Sequence, residues 1–216
     1  MLKRIIILTI GLNIAFICHS VGQSSTTATS YRFIEEVSFT ISGTSNVRDW
    51  NATTDKMQGR VVAGPEFIAW SSDSSLPETG SDAGSGWFRE VVFSIVSKDL
   101  DSGINAMNNT MYDNLKAEQH RRIRYQLTDV KEARNIEGSN DLVLLVNGIA
   151  RAAGVDHPVE HEVTVSRINA NLLTISGELQ MNISDFNIDP PTFMRGALVT
   201  EDKINVSYRF NIRASE

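Results

Sequence analysis

Apolar and polar residues alternate with a period of two along most of this chain, the pattern of strands with one buried face. Val37, Phe39 and Ile41 alternate with Ser38, Thr40 and Ser42, and Val91, Phe93 and Ile95 repeat the rhythm. Ile123, Tyr125 and Leu127 are separated by Arg124 and Gln126, and Leu144 and Val146 continue the series. The longest runs are Leu173, Ile175, Gly177, Leu179, Met181 and Ile183, and then Ile204, Val206, Tyr208, Phe210 and Ile212. Long alternating strands with short polar connections predict an all-β fold, a single antiparallel sheet. Closing that sheet into a barrel of about eight strands removes its edges.

Two intervals break the rhythm. Ser71 to Gly86 (SSDSSLPETGSDAGSG) lacks apolar anchors and reads as a solvated loop. Asn105 to His120 carries Met107, Met111 and Leu115 at a spacing of four, which predicts one short helic near the barrel mouth. Its stripe suits either packing on the sheet or a greasy lid over the opening.

The inward-facing set is almost wholly apolar, and a barrel of about eight strands is either filled by side chains or admits one slender ligand. Periodicity serves a packed core and a cavity equally well. Trp50, after the first strand, suits a cavity rim, where its ring meets apolar matter and its N–H meets a polar partner. It suits a barrel plug as well.

The first residues have a different character. Lys3 and Arg4 precede the apolar run Ile5 to Ile17, and Ser20-Val21-Gly22 supplies small residues, so 1–22 reads as a secretory signal. That run is shorter than the roughly 20 residues a membrane-spanning helix needs. Residues 23–30 read as a flexible start and 31–216 as one domain. Cys18 is the only cysteine, and cleavage removes it, leaving neither a disulfide framework nor a thiolate metal site. A periplasmic or secreted protein of the bacterial envelope is expected.

The formal net charge of -6 argues against a nucleic-acid partner, which would need a basic surface. His157, Glu160, His161 and Glu162 (HPVEHE) raise the question of a metal, but Pro158 points to a turn and solvated loop histidines fit better. There is no G-x-S-x-G elbow and no phosphate-cradling glycine loop, so no catalytic residues, metal or cofactor are assigned and no enzyme is expected.

Four ordered segments carry a resemblance. Phe39 to Trp50 (FTISGTSNVRDW), Lys98 to Tyr125 with its Met-rich helix, the Leu144 to Pro158 hairpin, and Gly177 to Gly196 with its PPT turn together resemble the YceI-like family. The resemblance implies a lipocalin-like barrel whose elongated interior takes a polyisoprenoid or related amphiphile. On that footing the expected partner is a lipid: an isoprenoid, quinone-like or fatty-acyl chain. The expected lining is Phe39, Ile41, Trp50, Phe93, Ile95, Met107, Met111, Leu115, Ile123, Tyr125, Leu144, Val146, Leu179, Met181, Tyr208 and Phe210. The rival expectation is a filled barrel acting through its outside as an envelope interaction or stress-response module, with Ser71 to Gly86 as its recognition loop. A homodimer is compatible with either.

Overall fold

The computed structural model describes residues 29–73, 86–169, 171–193 and 198–215. The signal-like segment with Cys18, most of the polar 23–30 stretch and residues 74–85 of the expected loop lie outside them.

Among the described residues ten strands follow one another: β1 (Ser30–Ser45), β2 (Trp50–Thr54), β3 (Gln58–Ala63), β4 (Phe88–Val96), β5 (Arg122–Asn135), β6 (Asp141–Ala152), β7 (Val155–Asn169), β8 (Leu172–Asn182), β9 (Thr192–Phe193) and β10 (Leu198–Ala214). Every pairing between them is antiparallel. From β3 to β8 each strand pairs with the next, and β8 pairs with β10. β10 returns to β1, with Phe39 opposite Tyr208 and Ile41 opposite Val206, and this pairing closes the sheet. β2 and β3 lie in succession along one flank of β1, so the closed barrel has 8 strands around its wall. The alternation read from the sequence points the expected way: Phe39, Phe93, Ile95, Leu179, Val206, Tyr208, Phe210 and Ile212 are all buried.

Two helices close the ends differently. α1 (Pro65–Asp73) opens with proline, whose fixed φ and missing N–H suit a first helical position. It puts Phe67 and Trp70, both 0% exposed, into one end of the barrel. Phe67 packs against Tyr31, Trp70 and Phe88 with ring centroids 4.7–5.9 Å apart. The Trp70 Nε1–H donates to Asn135 Oδ1 at 2.9 Å, so the indole is buried without an orphaned donor. The helix corrects the expectation that the chain from Ser71 onward is loop, because Ser71 to Asp73 form its last turn. Around α1 the interior is packed: Leu142, Leu144, Val146, Val165, Leu173, Phe210 and Ile212 are almost wholly buried, and only about 50 Å³ of space remains among their neighbours.

α2 (Asn105–Asn114) lies at the other end. Asp101 exchanges two backbone hydrogen bonds with Thr53 of β2, both 2.9 Å, and its carboxylate accepts from Asn108 Nδ2 of α2 at 2.7 Å. That hydrogen bond holds the Asp101 carboxyl below its ordinary range. The Tyr112 hydroxyl donates to the Leu100 carbonyl at 2.6 Å. α2 is thereby clipped to the rim of the barrel by polar contacts, since none of its residues is fully buried.

Candidate functional site

Beneath α2 the barrel is open inside. The cavity has a volume of about 320 Å³ and is lined by side chains from α2 and from most of the barrel strands. β1 and β2 contribute Phe39, Ile41 and Trp50, and β4 and β5 contribute Phe93, Ile95, Ile123 and Tyr125. β8 contributes Leu179 and Met181, and β10 contributes Ile204, Val206 and Tyr208. Met107, Met111 and Leu115 of the α2 segment form its roof. The stretch of β1 from Phe39 to Ser45, at about 3.3 Å per residue and a tilt of ~40°, gives a depth of about 15 Å.

Thirteen of the residues expected to face a ligand therefore line one space. Leu144, Val146 and Phe210 do not; they sit below it, in the packed half that α1 closes. Strand parity puts all of them inside, but height along the barrel separates the two groups. The exposed Arg48 and Arg151 stand at the cavity's edge, beside Ser45 and Asn114.

A layer of aromatic rings forms the floor. Phe93 stacks on Tyr125 with centroids 4.8 Å apart and 22° between planes, and Tyr208 stacks on Phe210 at 5.9 Å and 25°. Two strand glycines make room for the phenols. Gly177 lies directly opposite Tyr208 in the β8–β10 pairing, and a Cβ there would come within 2.4 Å of the Tyr208 oxygen. A Cβ on Gly148 would approach the Tyr125 oxygen equally closely, at 2.4 Å. Gly43 is paired with Trp50 and leaves space for the indole in the same way. The Trp50 Nε1 is buried without a hydrogen-bond partner, contrary to the polar contact expected for it.

His161 completes the floor, and here the structure corrects the sequence reading. The HPVEHE segment is not a solvated loop but part of β7, paired along its length with β6. Pro158 is tolerated because β8 pairs with β7 only from Val163 onward, so no ladder bond on that side is lost at the proline. His161 is 6% exposed, and its Nε2 lies 2.8 Å from the Tyr208 hydroxyl. Burial among rings pushes its pKa down from 6.5 to about 4, and burial raises the Tyr125 and Tyr208 hydroxyls above their ordinary range. All three groups are uncharged at neutral pH. Alternation was the usable signal: His157, Val159, His161, Val163 and Val165 continue a period-two series into the buried face.

The arrangement is suited to enclosing an apolar molecule. His161 Nδ1 is buried without a hydrogen-bond partner. Among the described residues no three His, Cys, Asp or Glu side chains gather as a metal site.

The model of the YceI-like domain matches residues 24–212. The chain belongs to the YceI-like family. Solved structures share the fold. A polyisoprenoid binding domain from Saccharophagus degradans, implicated in plant cell wall breakdown, is 12% identical, with 86% of this chain and 98% of that chain covered at a TM-score of 0.61. BcnA of Burkholderia cenocepacia is 16% identical, with 81% and 95% covered and a TM-score of 0.56. The YCEI protein of Campylobacter jejuni is 13% identical, with 76% and 85% covered and a TM-score of 0.54. At these identities the likeness is one of fold. A sequence search of curated proteins found no match. No described helix is long and apolar enough to cross a membrane.

Proposed function

We propose that this YceI-like protein is an exported carrier that holds one long apolar molecule, an isoprenoid, quinone-like or fatty-acyl chain, in its barrel and performs no chemistry on it. The observation that carries the reading is the cavity of about 320 Å³ under α2, whose wall and roof are apolar. Each methylene moved from water into such a lining gains about 0.8 kcal/mol, so ten of them outweigh the ordering of a flexible chain by several kcal/mol. Methionines at the roof suit this role, because unbranched thioethers adapt to chains of different shape. The polyisoprenoid-binding description of the Saccharophagus degradans relative supports the same ligand class. A filled barrel working only through its outside leaves this space without a purpose. Lys3, Arg4 and the Ile5 to Ile17 run support export.

Native mass spectrometry of the mature protein, purified gently from its own source and then extracted with organic solvent, tests the reading. The expected result is a stoichiometric isoprenoid, quinone or acyl species on the barrel. An apo mass that persists after incubation with such lipids refutes it. The same spectrum reads whether the barrel is a homodimer, and its N-terminal mass reads whether residues 1–22 have been removed.

A further inference from the structure

The chamber under α2 does not run the length of the barrel. Among the described residues, three side chains line both that chamber and the small void beneath it, Phe93, Tyr125 and Tyr208. These rings are the partition between the open half and the packed half. Phe93 is its hub, with ring centroids 4.8 Å from Tyr125, 5.6 Å from Tyr208 and 5.8 Å from Phe210. The partition has little slack. The Tyr208 hydroxyl is tied to His161 Nε2 at 2.8 Å, and the phenols of Tyr125 and Tyr208 lie so close to the backbone at Gly148 and Gly177 that a Cβ there would come within 2.4 Å of either oxygen. Only about 50 Å³ of space remains below to receive a displaced ring. Side chains packed this closely transmit strain instead of yielding, so a flexible chain entering from above stops at them.

Two measures of the chamber set the length of chain that fits. Its volume of about 320 Å³, at roughly 30 Å³ per methylene, which is the room a water molecule takes in the liquid, holds about ten or eleven carbons. Its depth of about 15 Å takes about twelve, since successive tetrahedral carbons of an extended chain advance about 1.25 Å. We propose that the Phe93, Tyr125 and Tyr208 rings are a length stop: the barrel encloses an apolar chain of about a dozen backbone carbons, a dodecyl chain or about three isoprene units, and carbons beyond that gain nothing. The inference rests on the lipid-carrier reading and narrows its ligand class to chains of medium length.

The test measures how well fatty acids from octanoate to stearate, and geraniol, farnesol and geranylgeraniol, displace a polarity-sensitive fluorophore, all below their micelle concentrations. On the wild type each carbon added up to about dodecanoate should lower the displacing concentration about three- to fourfold, the gain from burying one methylene, and each later carbon should change it by less than about 1.5-fold. Among the prenols the gain should end at farnesol. Two variants move the stop in opposite directions. In Phe93→Ala the room left by the ring, on the order of 100 Å³, joins the void of about 50 Å³ below, so the break should move about five carbons longer. Val206 is a buried lining residue two positions nearer the mouth than Tyr208. Val206→Phe puts a ring about 5 Å higher, and the break should move about four carbons shorter. The break is read across one series within each protein, so a general loss of affinity or stability does not mimic a shift; should one variant fail to bind the fluorophore, the other decides. A displacing concentration that falls steadily from octanoate to stearate on the wild type, or a break at one length in all three proteins, overturns the length stop while leaving the carrier reading standing. Failure of every chain of both series on the wild type overturns both.

Discussion

Lowering the pH should destabilise this barrel through His161 in particular. The side chain is 6% exposed, and its folded-state pKa lies at about 4 against an ordinary 6.5. In the unfolded chain the imidazole takes up a proton near pH 6.5, whereas the folded state resists until about pH 4. Between those values the unfolded state binds more protons, so stability falls as the pH falls and the loss levels off below about pH 4. At about 1.4 kcal/mol per pH unit, the full gap is worth roughly 3 kcal/mol, a large part of a typical domain's stability. Urea unfolding between pH 7 and pH 4.5, on the wild type and on His161→Phe, measures it. Surface carboxylates titrate in the same range, but they do so in both proteins, and the difference between the two curves isolates His161. The wild type should lose most of those ~3 kcal/mol relative to the variant. Parallel curves would refute a neutral buried imidazole and, with it, the uncharged floor.

Three further variants probe other parts of the architecture. Phe67→Ala removes a wholly buried ring from the end plug and should lower the urea-unfolding free energy by about 3–5 kcal/mol, with the far cavity still able to take up a fluorescent lipid analogue. Gly177→Val drives branched carbon into space where even a Cβ lies 2.4 Å from the Tyr208 oxygen; about 1–3 kcal/mol of stability should go, together with probe affinity. Paired Met107→Lys and Met111→Lys changes put ammonium groups at the roof; probe affinity should drop about tenfold or more, while the far-UV circular dichroism stays that of a barrel.

Much of the fold was legible because side-chain direction in a strand is a local property. Ile204, Val206, Tyr208, Phe210 and Ile212 face inward whatever the rest of the chain does, since successive residues of an extended backbone point to opposite sides. The Met107, Met111 and Leu115 stripe was readable on the same ground at the helical period. α1 was harder to see: only Phe67 and Trp70, placed after Pro65, mark it, and a helix of nine residues derives its stability from what it plugs more than from its own turns.

The site divides along the same line. Alternation in the sequence determined which residues enter the barrel, and it would have included His161 had Pro158 not suggested a turn. What it could not determine is height along the barrel axis, because Phe39 and Phe210 read alike as inward aromatics while one borders the cavity and the other only the packed half. Height follows from the stagger between strands around a closed wall, a sum over all the pairings, and from α1 filling one end with Phe67 and Trp70 while α2 is held across the other. Only that closure brings His161, Tyr125 and Tyr208 from three distant strands to one level beneath the apolar chamber, where the surrounding rings exclude water.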